Sequence, residues 1–506
     1  MKRNNLTTAV IAGIAGVAGI ANMAGAVNLN PDGLGQVLIY PYFTVNANNQ
    51  TLISVVNTQN AGKAVKVRFL EGYDSREVLD FNLYLSPYDV WVAAVFDTAG
   101  FNGALTDGSA PGGLLTPDNS CTDPGIKKPT YAPLMTLPDG RFYVSFTNAA
   151  YSGIGSTSGA PLTDGGPTDL KRTRTGHIEL IEMATVTGDT LAAITHDNTG
   201  VPADCNAVIG LPANSTDLHA PSGGLFGSGS IVNAAQGTLY GYNADAIDGF
   251  YTVRTGNIFF TPGVISPDLT NGDNSDIVPG ASVSYVFNNG KLITSTYVGD
   301  SIDAVSSVFT ADHIYNEFEI NPTTGSVASE WVVTFPTKRY YVDPATHLSG
   351  ATKPFTKVFG KTFACEPIGI TKFNREEGTN HSVGGFSPPQ PGQAGPVLCY
   401  EAQVITFGPG AAAGTASPIF GSPLTANIDP SAVGNAGWVN LDFTTIPGHA
   451  MLASTENNVF HGLPVTGFLA KDFTNKNVTP GVLGNYAGLY RHRISRACTN
   501  VNGTCS

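Results

Sequence analysis

The stretch AVKVRFL, residues 64–70, alternates apolar and basic side chains. Alternation with a period of two is typical of a β-strand that buries one face against a core. Apolar runs at residues 37–40, 51–56, 78–85 and 90–96 predict further strands, and turn-forming residues separate them. Strands at short, regular spacing with turns between them predict an antiparallel β-sandwich.

The same signals continue through the chain, so we predict an all-β protein. It is expected to consist of antiparallel β-sandwich domains, immunoglobulin-like or jelly-roll-like, with long Gly/Pro-rich loops and few short helices. Residues 97–138 and 204–229 are predicted to be loops, and the second loop suggests a boundary between an N-terminal sandwich at 27–210 and a β-rich domain at 211–506. Later strands are predicted at residues 142–146, 177–186, 230–233, 238–242, 282–287, 331–335, 397–407 and 438–443.

The basic residues of the predicted strand at 64–70 are interpreted as exposed. Lys66 and Arg68 alternate with apolar residues, so we expect both to face solvent, where charge also discourages pairing at a sheet edge. The whole chain of 506 residues is 42% hydrophobic and only 13% charged, with 59 glycines and 33 prolines. This composition excludes ordinary disorder and a coiled coil. The net charge of −13 opposes binding to nucleic acid.

The N-terminus predicts export. Lys2 and Arg3 precede an apolar segment at residues 6–20, and Ala24 and Ala26 form a small-x-small cleavage site. We therefore predict a signal peptide at residues 1–26 and a mature chain that is secreted to the cell surface or medium rather than kept in the periplasm. No later segment has the roughly 18 uninterrupted apolar residues of a membrane helix, so no transmembrane span is expected in the mature chain.

Six cysteines in an exported chain predict disulfides. Six cysteines allow 15 pairings. Pairing neighbours in sequence is the simplest choice, and metal binding is disfavoured because the chain has no C-x-x-C spacing. The predicted bonds are Cys121–Cys205, Cys365–Cys399 and Cys498–Cys505.

Ten short blocks together resemble a family of uncharacterised secreted or cell-surface proteins of proteobacteria. The resemblance implies export by a Gram-negative bacterium and brings no particular activity with it. The blocks are LIYPY at 38–42, TLISVVNT at 51–58, VRF at 67–69, DFN at 80–82, LSP at 85–87, DVW at 89–91, NEF at 316–318, WVVTFPTK at 331–338, LCYE at 398–401 and VITF at 404–407.

Enzyme signatures are missing from the sequence. It contains no nucleophile elbow, zinc-protease helix or complete phosphate loop. Two pairs of nearby carboxylates, Glu179 with Glu182 and Glu317 with Glu319, have the residue type that hydrolyses glycans. In a chain with 39 acidic residues such pairs also arise by chance, so we interpret them as solvated surface groups. The sequence thus favours a protein without enzymatic activity and without a cofactor, calcium excepted.

Calcium is the one metal that the sequence suggests. Asp268, Asn271, Asp273 and Asp276 lie close together in a loop with Gly272, and calcium prefers six to eight oxygen ligands. The EF-hand spacing is not met, and Asp and Asn also form turns through their own backbone hydrogen bonds. The loop is therefore a candidate calcium site or a plain turn.

Three functions remain open. The first is a non-enzymatic structural protein of the cell surface that associates with itself through β-strand edges. The second is a carbohydrate-binding or adhesion module that recognises surface glycans, for which an exposed aromatic platform would be needed; Trp91 and Trp331 are instead expected in the core. The third is a secreted hydrolase whose active site has no recognisable motif.

Overall fold

The computed structural model is mostly β-strand and confirms the predicted all-β sandwich fold. The signal peptide predicted at 1–26 lies outside the described residues except for its last two, and Ala26 and Val27 are both buried. Among the described residues no helix combines the length and apolar character needed to cross a membrane. The described residues are 25–104, 106–127, 134–154, 163–251, 256–274, 281–299, 301–343, 353–360, 364–382, 396–409, 415–479 and 482–505.

The first half of the chain supplies strands β1 to β15. They are β1 (Asn28–Leu29), β2 (Val37–Thr44), β3 (Gln50–Asn57), β4 (Gly62–Glu71), β5 (Glu77–Leu85), β6 (Val90–Asp97), β7 (Gly112–Leu115), β8 (Cys121–Asp123), β9 (Met135–Thr136), β10 (Phe142–Ser145), β11 (Thr175–Val186), β12 (Leu218–His219), β13 (Leu225–Asn233), β14 (Thr238–Asn243) and β15 (Asp245–Asp248).

The second half supplies strands β16 to β34. They are β16 (Ala281–Asn288), β17 (Lys291–Val298), β18 (Thr310–Ala311), β19 (His313–Glu319), β20 (Val327–Thr334), β21 (Glu366–Pro367), β22 (Gly369–Asn374), β23 (Thr379–Ser382), β24 (Val397–Leu398), β25 (Ala402–Phe407), β26 (Thr425–Ile428), β27 (Ala436–Asp442), β28 (Val459–His461), β29 (Leu463–Pro464), β30 (Thr466–Thr479), β31 (Val482–Arg491), β32 (Arg493–Ser495), β33 (Ala497–Asn500) and β34 (Gly503–Thr504).

Helices are short. The α-helices of the described residues are α1 (Gly188–Ile194), α2 (Ile302–Phe309) and α3 (Arg339–Val342), and single 3₁₀ turns occur at Asn46–Asn48, Leu170–Arg174 and Cys205–Val208.

Two sheets form the first sandwich. Sheet I has the strand order β1-β15-β2-β11-β4-β5-β8, with β12 added beside β11. Sheet II has the order β14-β13-β3-β6-β7-β10-β9. Strands β13 and β15 come from residues 225–248, yet they pair with β3 and β2 of residues 37–57, and β14 extends the sheet beside β13. Strand pairing therefore crosses the predicted boundary at residue 210.

Two further sheets form the second sandwich. Sheet III has the order β26-β25-β20-β30-β31, and sheet IV has the order β23-β22-β27-β19-β32. Neighbouring strands run antiparallel except β25 and β26, which are parallel. Trp331 of β20 and Phe318 of β19 lie in the core between these sheets, where both rings contact Phe407.

Aromatic side chains join the two sandwiches. Sheet III buries its second face against the first sandwich, and Phe420 of the loop before β26 lies at the centre of this contact. Its ring centroid lies 5.5 Å from those of Tyr42 and Tyr240, and Tyr242 stacks on Phe468 at 5.3 Å. The two sandwiches therefore share one continuous apolar contact. As a result, both faces of sheet III are buried.

The basic residues of β4 correct the sequence-based expectation. Lys66 and Arg68 were expected to face solvent, but both are fully buried. Lys66 pairs with Asp80, and Arg68 contacts Glu77 at 2.9 Å and Glu179 at 2.7 Å. Later parts of the chain cover this face of sheet I, since Lys66 also donates to the Val264 carbonyl at 2.9 Å. Buried charges persist when each has a close partner of opposite sign, as here.

Glu179 and Glu182 were interpreted as solvated groups, and this interpretation was wrong. Both carboxylates are buried. Glu182 accepts from the Lys63 ammonium at 2.8 Å and from the backbone N–H groups of Ser222 and Gly223 at 2.9 and 2.7 Å. Burial is the largest single effect and raises the pKa of Glu179, but interactions with Arg68, His177 and Arg339 together outweigh it, so the pKa is lowered. Both carboxylates therefore anchor sheet I.

The structure contains the three disulfides that were predicted by pairing each cysteine with its neighbour in the sequence. They are Cys121–Cys205, Cys365–Cys399 and Cys498–Cys505, which close loops of 84, 34 and 7 residues. All six cysteines are used. Three disulfides are typical of proteins from an oxidising compartment.

Candidate functional site

Trp438 lies on the outer face of sheet IV, in the middle of β27. Trp91 and Trp331 are 1% and 0% exposed, so the expectation that they pack in the core is confirmed. Trp438 is 38% exposed, while its neighbours on the strand, Val439 and Leu441, are buried. Because successive residues of a strand point to opposite faces, this alternation places the indole on the solvent side of the sheet.

A row of rings crosses this outer face. Phe373 of β22 is the cross-strand partner of Trp438, and the two rings are nearly parallel, with centroids 4.0 Å apart and planes at 6°. Tyr315 of β19 lies 6.4 Å from Trp438 on the other side, and His313 stacks on Tyr315 at 5.9 Å. His313 and Tyr315 are two positions apart in one strand and therefore share a face.

Charged side chains border the rings. The Glu317 carboxylate accepts a hydrogen bond from the Lys471 ammonium at 2.6 Å, and Arg375 lies 3.2 Å from Glu319. We call the concavity between these groups the aromatic groove; its volume is about 580 Å³. Ligand pockets commonly measure roughly 300–1,000 Å³. The aromatic groove is lined by Glu317, Phe318, Glu319, Phe373, Asn374, Arg375, Glu377, Gly437, Trp438 and Lys471.

Two acidic side chains lie beside His313, at the end of the aromatic row opposite Phe373, and affect its pKa. The Asp312 carboxylate lies 3.3 Å from Nδ1 of His313, and Asp442 lies 3.6 Å from Nε2. Interaction with Asp312 raises the pKa of His313, with a smaller contribution from Asp442. The imidazole therefore keeps its positive charge to a higher pH than a free histidine.

This arrangement fits a ligand with one apolar face and many hydroxyl groups. The flat faces of Trp and Tyr cover apolar C–H surface, while carboxylates accept and ammonium groups donate hydrogen bonds. Glu317 and Glu319, two of the three groove carboxylates, each have a basic partner close by. Paired charges of this kind suit binding and orientation of hydroxyl groups.

The candidate calcium loop forms turns. Oδ1 of Asp268 accepts from the backbone N–H and the hydroxyl of Thr270 at 2.9 and 2.6 Å, and Oδ1 of Asn271 accepts from the Asp268 N–H at 2.8 Å. Asp276 lies outside the described residues. Within the part of the chain that the structure describes, no cluster of three or more His, Cys, Asp or Glu side chains is arranged for a metal. Calcium binding at Asp268, Asn271 and Asp273 stays a prediction.

The sequence did not predict the aromatic groove, although the residue pattern of two of its strands hints at an unusual exposed face. HIYNEFE at 313–319 and AGWVNLD at 436–442 each have a period of two, with aromatic and polar residues at one parity. Such a pattern indicates one solvent face with unusual chemistry. The adjacency of the two strands and of β22 follows from the sheet order, which the spacing does not reveal.

This chain matches no protein-family model, no curated protein and no solved structure. Its function therefore has to be inferred from its own residues.

Proposed function

We propose that the protein is an exported surface or extracellular protein that binds carbohydrate in the aromatic groove. The observation that carries this proposal is the pair of parallel rings, Phe373 and Trp438, half-exposed beside the Glu317–Lys471 ion pair. Sugar rings present C–H groups on one face and hydroxyl groups around the edge, and both have complementary partners here. The three disulfides agree with residence in an oxidising compartment.

The charge of the groove favours an uncharged glycan. Glu317, Glu319 and Glu377 are acidic, whereas Lys471 and Arg375 are basic, so the lining has no surplus of positive charge. A polyanionic polysaccharide would need uncompensated basic groups. We therefore expect neutral oligosaccharides to bind better than sulfated or uronic acid chains.

Strand edges give less support to the structural, self-associating function that the sequence favours first. The outermost strands of sheets I to IV are two to four residues long, except β14 and β31. These two lie beside each other, where Asn485 donates to the Gln236 carbonyl at 3.0 Å. Short edges offer little backbone to a second copy. For this reason we place carbohydrate binding first.

Calorimetric titration with a panel of neutral hexasaccharides tests the proposal. Cellohexaose, chitohexaose and maltohexaose are titrated into wild type, Trp438→Ala and the control Phe287→Ala. Phe287 is 59% exposed on β16, so the control removes an exposed ring elsewhere. Binding by wild type and control, weakened about tenfold or more in Trp438→Ala, is the expected result, since one aromatic contact contributes on the order of 1.5 kcal/mol. Equal binding by all three proteins, or binding by none, would refute it.

A further inference from the structure

A small cavity lies between the end of helix α2, strand β32 and strand β1. Its volume is about 160 Å³. An apolar protein cavity of roughly 150 Å³ is large enough to hold one benzene molecule. Ile494 is 41% exposed, so the cavity opens to solvent beside this residue. We call it the arginine cavity, and its apolar walls are formed by Leu29, Phe309, Ile314, Val465 and Ile494.

Two guanidinium groups border these walls. Arg491 forms an ion pair with Asp245, whereas Arg496 has no salt-bridge partner within the described ranges of the chain. Nη2 of Arg496 donates to the Val308 carbonyl at 3.0 Å. Its Nε is buried and has no hydrogen-bond partner among the residues that the structure describes. A guanidinium group has five N–H donors, so Arg496 keeps donor capacity for a ligand.

The charges around Arg496 do not compensate its own. Burial lowers the pKa of Arg496 to about 10; the Arg491 charge acts in the same direction, and Asp312 opposes both. The Asp312 carboxylate is engaged elsewhere, since it accepts from the Ser495 hydroxyl at 2.5 Å and lies 3.3 Å from Nδ1 of His313. At neutral pH Arg496 is still protonated. A buried charge without a close partner is costly, and a bound anion would remove that cost.

His492 completes the lining without competing for an anion. Its Nε2 lies 2.9 Å from the Val332 carbonyl, and its Nδ1 lies 3.1 Å from the side-chain nitrogen of Asn316. Burial lowers the pKa of His492 to about 4, so the imidazole is neutral at neutral pH. An acidic group in the cavity therefore has its best position beside Arg496.

The walls and the charge together define a class of ligand. We propose that the arginine cavity binds a small organic carboxylate, whose apolar body packs against the walls and whose carboxylate pairs with Arg496. Arginine and a carboxylate can form two parallel hydrogen bonds. The volume suits a body of one aromatic ring or an alkyl chain of about five carbons. The arginine cavity and the aromatic groove share no residue, so this binding does not depend on carbohydrate.

An NMR titration of the mature full-length chain with benzoate and hexanoate tests this proposal. Benzyl alcohol and 1-hexanol have similar apolar bodies but no charge, and they should bind at least about tenfold more weakly, because they cannot form the charged pair. Formate has the charge without the body and should also bind at least about tenfold more weakly, because it buries almost no apolar surface.

Three variants locate the site. Arg496→Met removes the guanidinium and should weaken benzoate binding at least about tenfold. Arg493→Met is the matched control, because Arg493 is an exposed arginine of β32 that does not line the cavity. Ile494→Glu places a competing carboxylate at the mouth of the cavity and should also weaken binding. Because Ile494 is exposed, this variant should fold, and circular dichroism establishes that each variant is folded.

The expected result is that benzoate binding is lost in Arg496→Met and Ile494→Glu and kept in Arg493→Met. Absence of binding by wild type up to about 10 mM carboxylate would overturn the proposal. Binding that survives both Arg496→Met and Ile494→Glu would overturn it as well. Equal binding of the alcohols would assign the cavity to neutral apolar molecules, and equal binding of formate would make it a plain anion site; either result contradicts the proposed ligand class.

Discussion

Glu330 makes the stability of the junction between the sandwiches depend on pH. Its side chain is buried on β20 and holds the loop that carries Phe420. Oε1 accepts from the Ile419 N–H at 2.5 Å, while Oε2 accepts from the Ser417 hydroxyl at 2.9 Å and the Phe420 N–H at 3.1 Å. Among the described residues it has no salt-bridge partner, so its negative charge is compensated by hydrogen bonds alone.

Burial raises the pKa of Glu330 to about 7, against the opposing effect of its three hydrogen bonds. In the unfolded chain a glutamic acid has a pKa of about 4.3. Between these two values the folded state binds more protons than the unfolded state, so the free energy of unfolding falls as pH rises. Each pH unit of difference corresponds to about 1.4 kcal/mol, which gives a loss of about 2–3 kcal/mol between pH 5 and pH 8.

Urea unfolding of wild type and Glu330→Gln at the two pH values measures this loss. Glutamine has a similar shape and does not titrate. The variant should therefore gain about 2–3 kcal/mol relative to wild type when the pH is raised from about 5 to about 8. Comparing the two proteins cancels the other titrating groups. A difference that stays constant between the two pH values, or that favours wild type at the higher pH, would refute the reasoning.

Three further outcomes are expected. Replacing Cys121 and Cys205 by serine should lower the free energy of unfolding by about 4–5 kcal/mol in a urea titration, because this disulfide closes an 84-residue loop. Arg68→Met should cost about 3–5 kcal/mol in the same assay, because it leaves the buried Glu179 carboxylate without its main partner. Trp438→Ala should leave the unfolding midpoint within about 2 °C of wild type, because the half-exposed indole makes little core contact; differential scanning calorimetry measures this.

Local pattern was sufficient to predict the long strands of the first sandwich, whereas β19, β30 and β31 were not predicted. AVKVRFL lies within β4, and TLISVVN and the run at 90–96 lie within β3 and β6. Period-two alternation reports that Lys66 and Arg68 share a face, and that inference holds. The alternation does not indicate which residues cover the face that holds Lys66 and Arg68. The covering segment includes Val264, almost 200 positions away, so the burial of these charges depends on tertiary contacts that the sequence pattern does not contain.

A strand that contains several glycines could not be predicted from the period-two pattern either. Residues 97–138 were predicted to be a loop, but Gly112–Leu115 forms β7 between β6 and β10. A Cβ atom at Gly112 would lie 3.0 Å from the Phe146 ring and 3.1 Å from the Thr173 carbonyl. The glycine is used here for close approach of neighbouring chain segments, whereas in sequence it resembles a turn signal.

The aromatic groove could not be predicted from the sequence for the same reason. Trp438 and Phe373 are 4.0 Å apart in space but belong to strands separated by a long stretch of chain. Alternation predicts which side chains share a strand face, while sheet order decides which strands become neighbours. The aromatic groove therefore emerges only when β22, β27 and β19 are placed side by side.

Fluorescence of Trp438 provides the most direct test of carbohydrate binding in the aromatic groove. The other two tryptophans are buried, so acrylamide quenching of the wild-type protein reports mainly on Trp438. A neutral hexasaccharide that binds in the calorimetric titration should reduce this quenching, because the sugar covers the indole. Binding that leaves the quenching unchanged would place the ligand elsewhere, and it would contradict the proposed role of the Phe373–Trp438 pair.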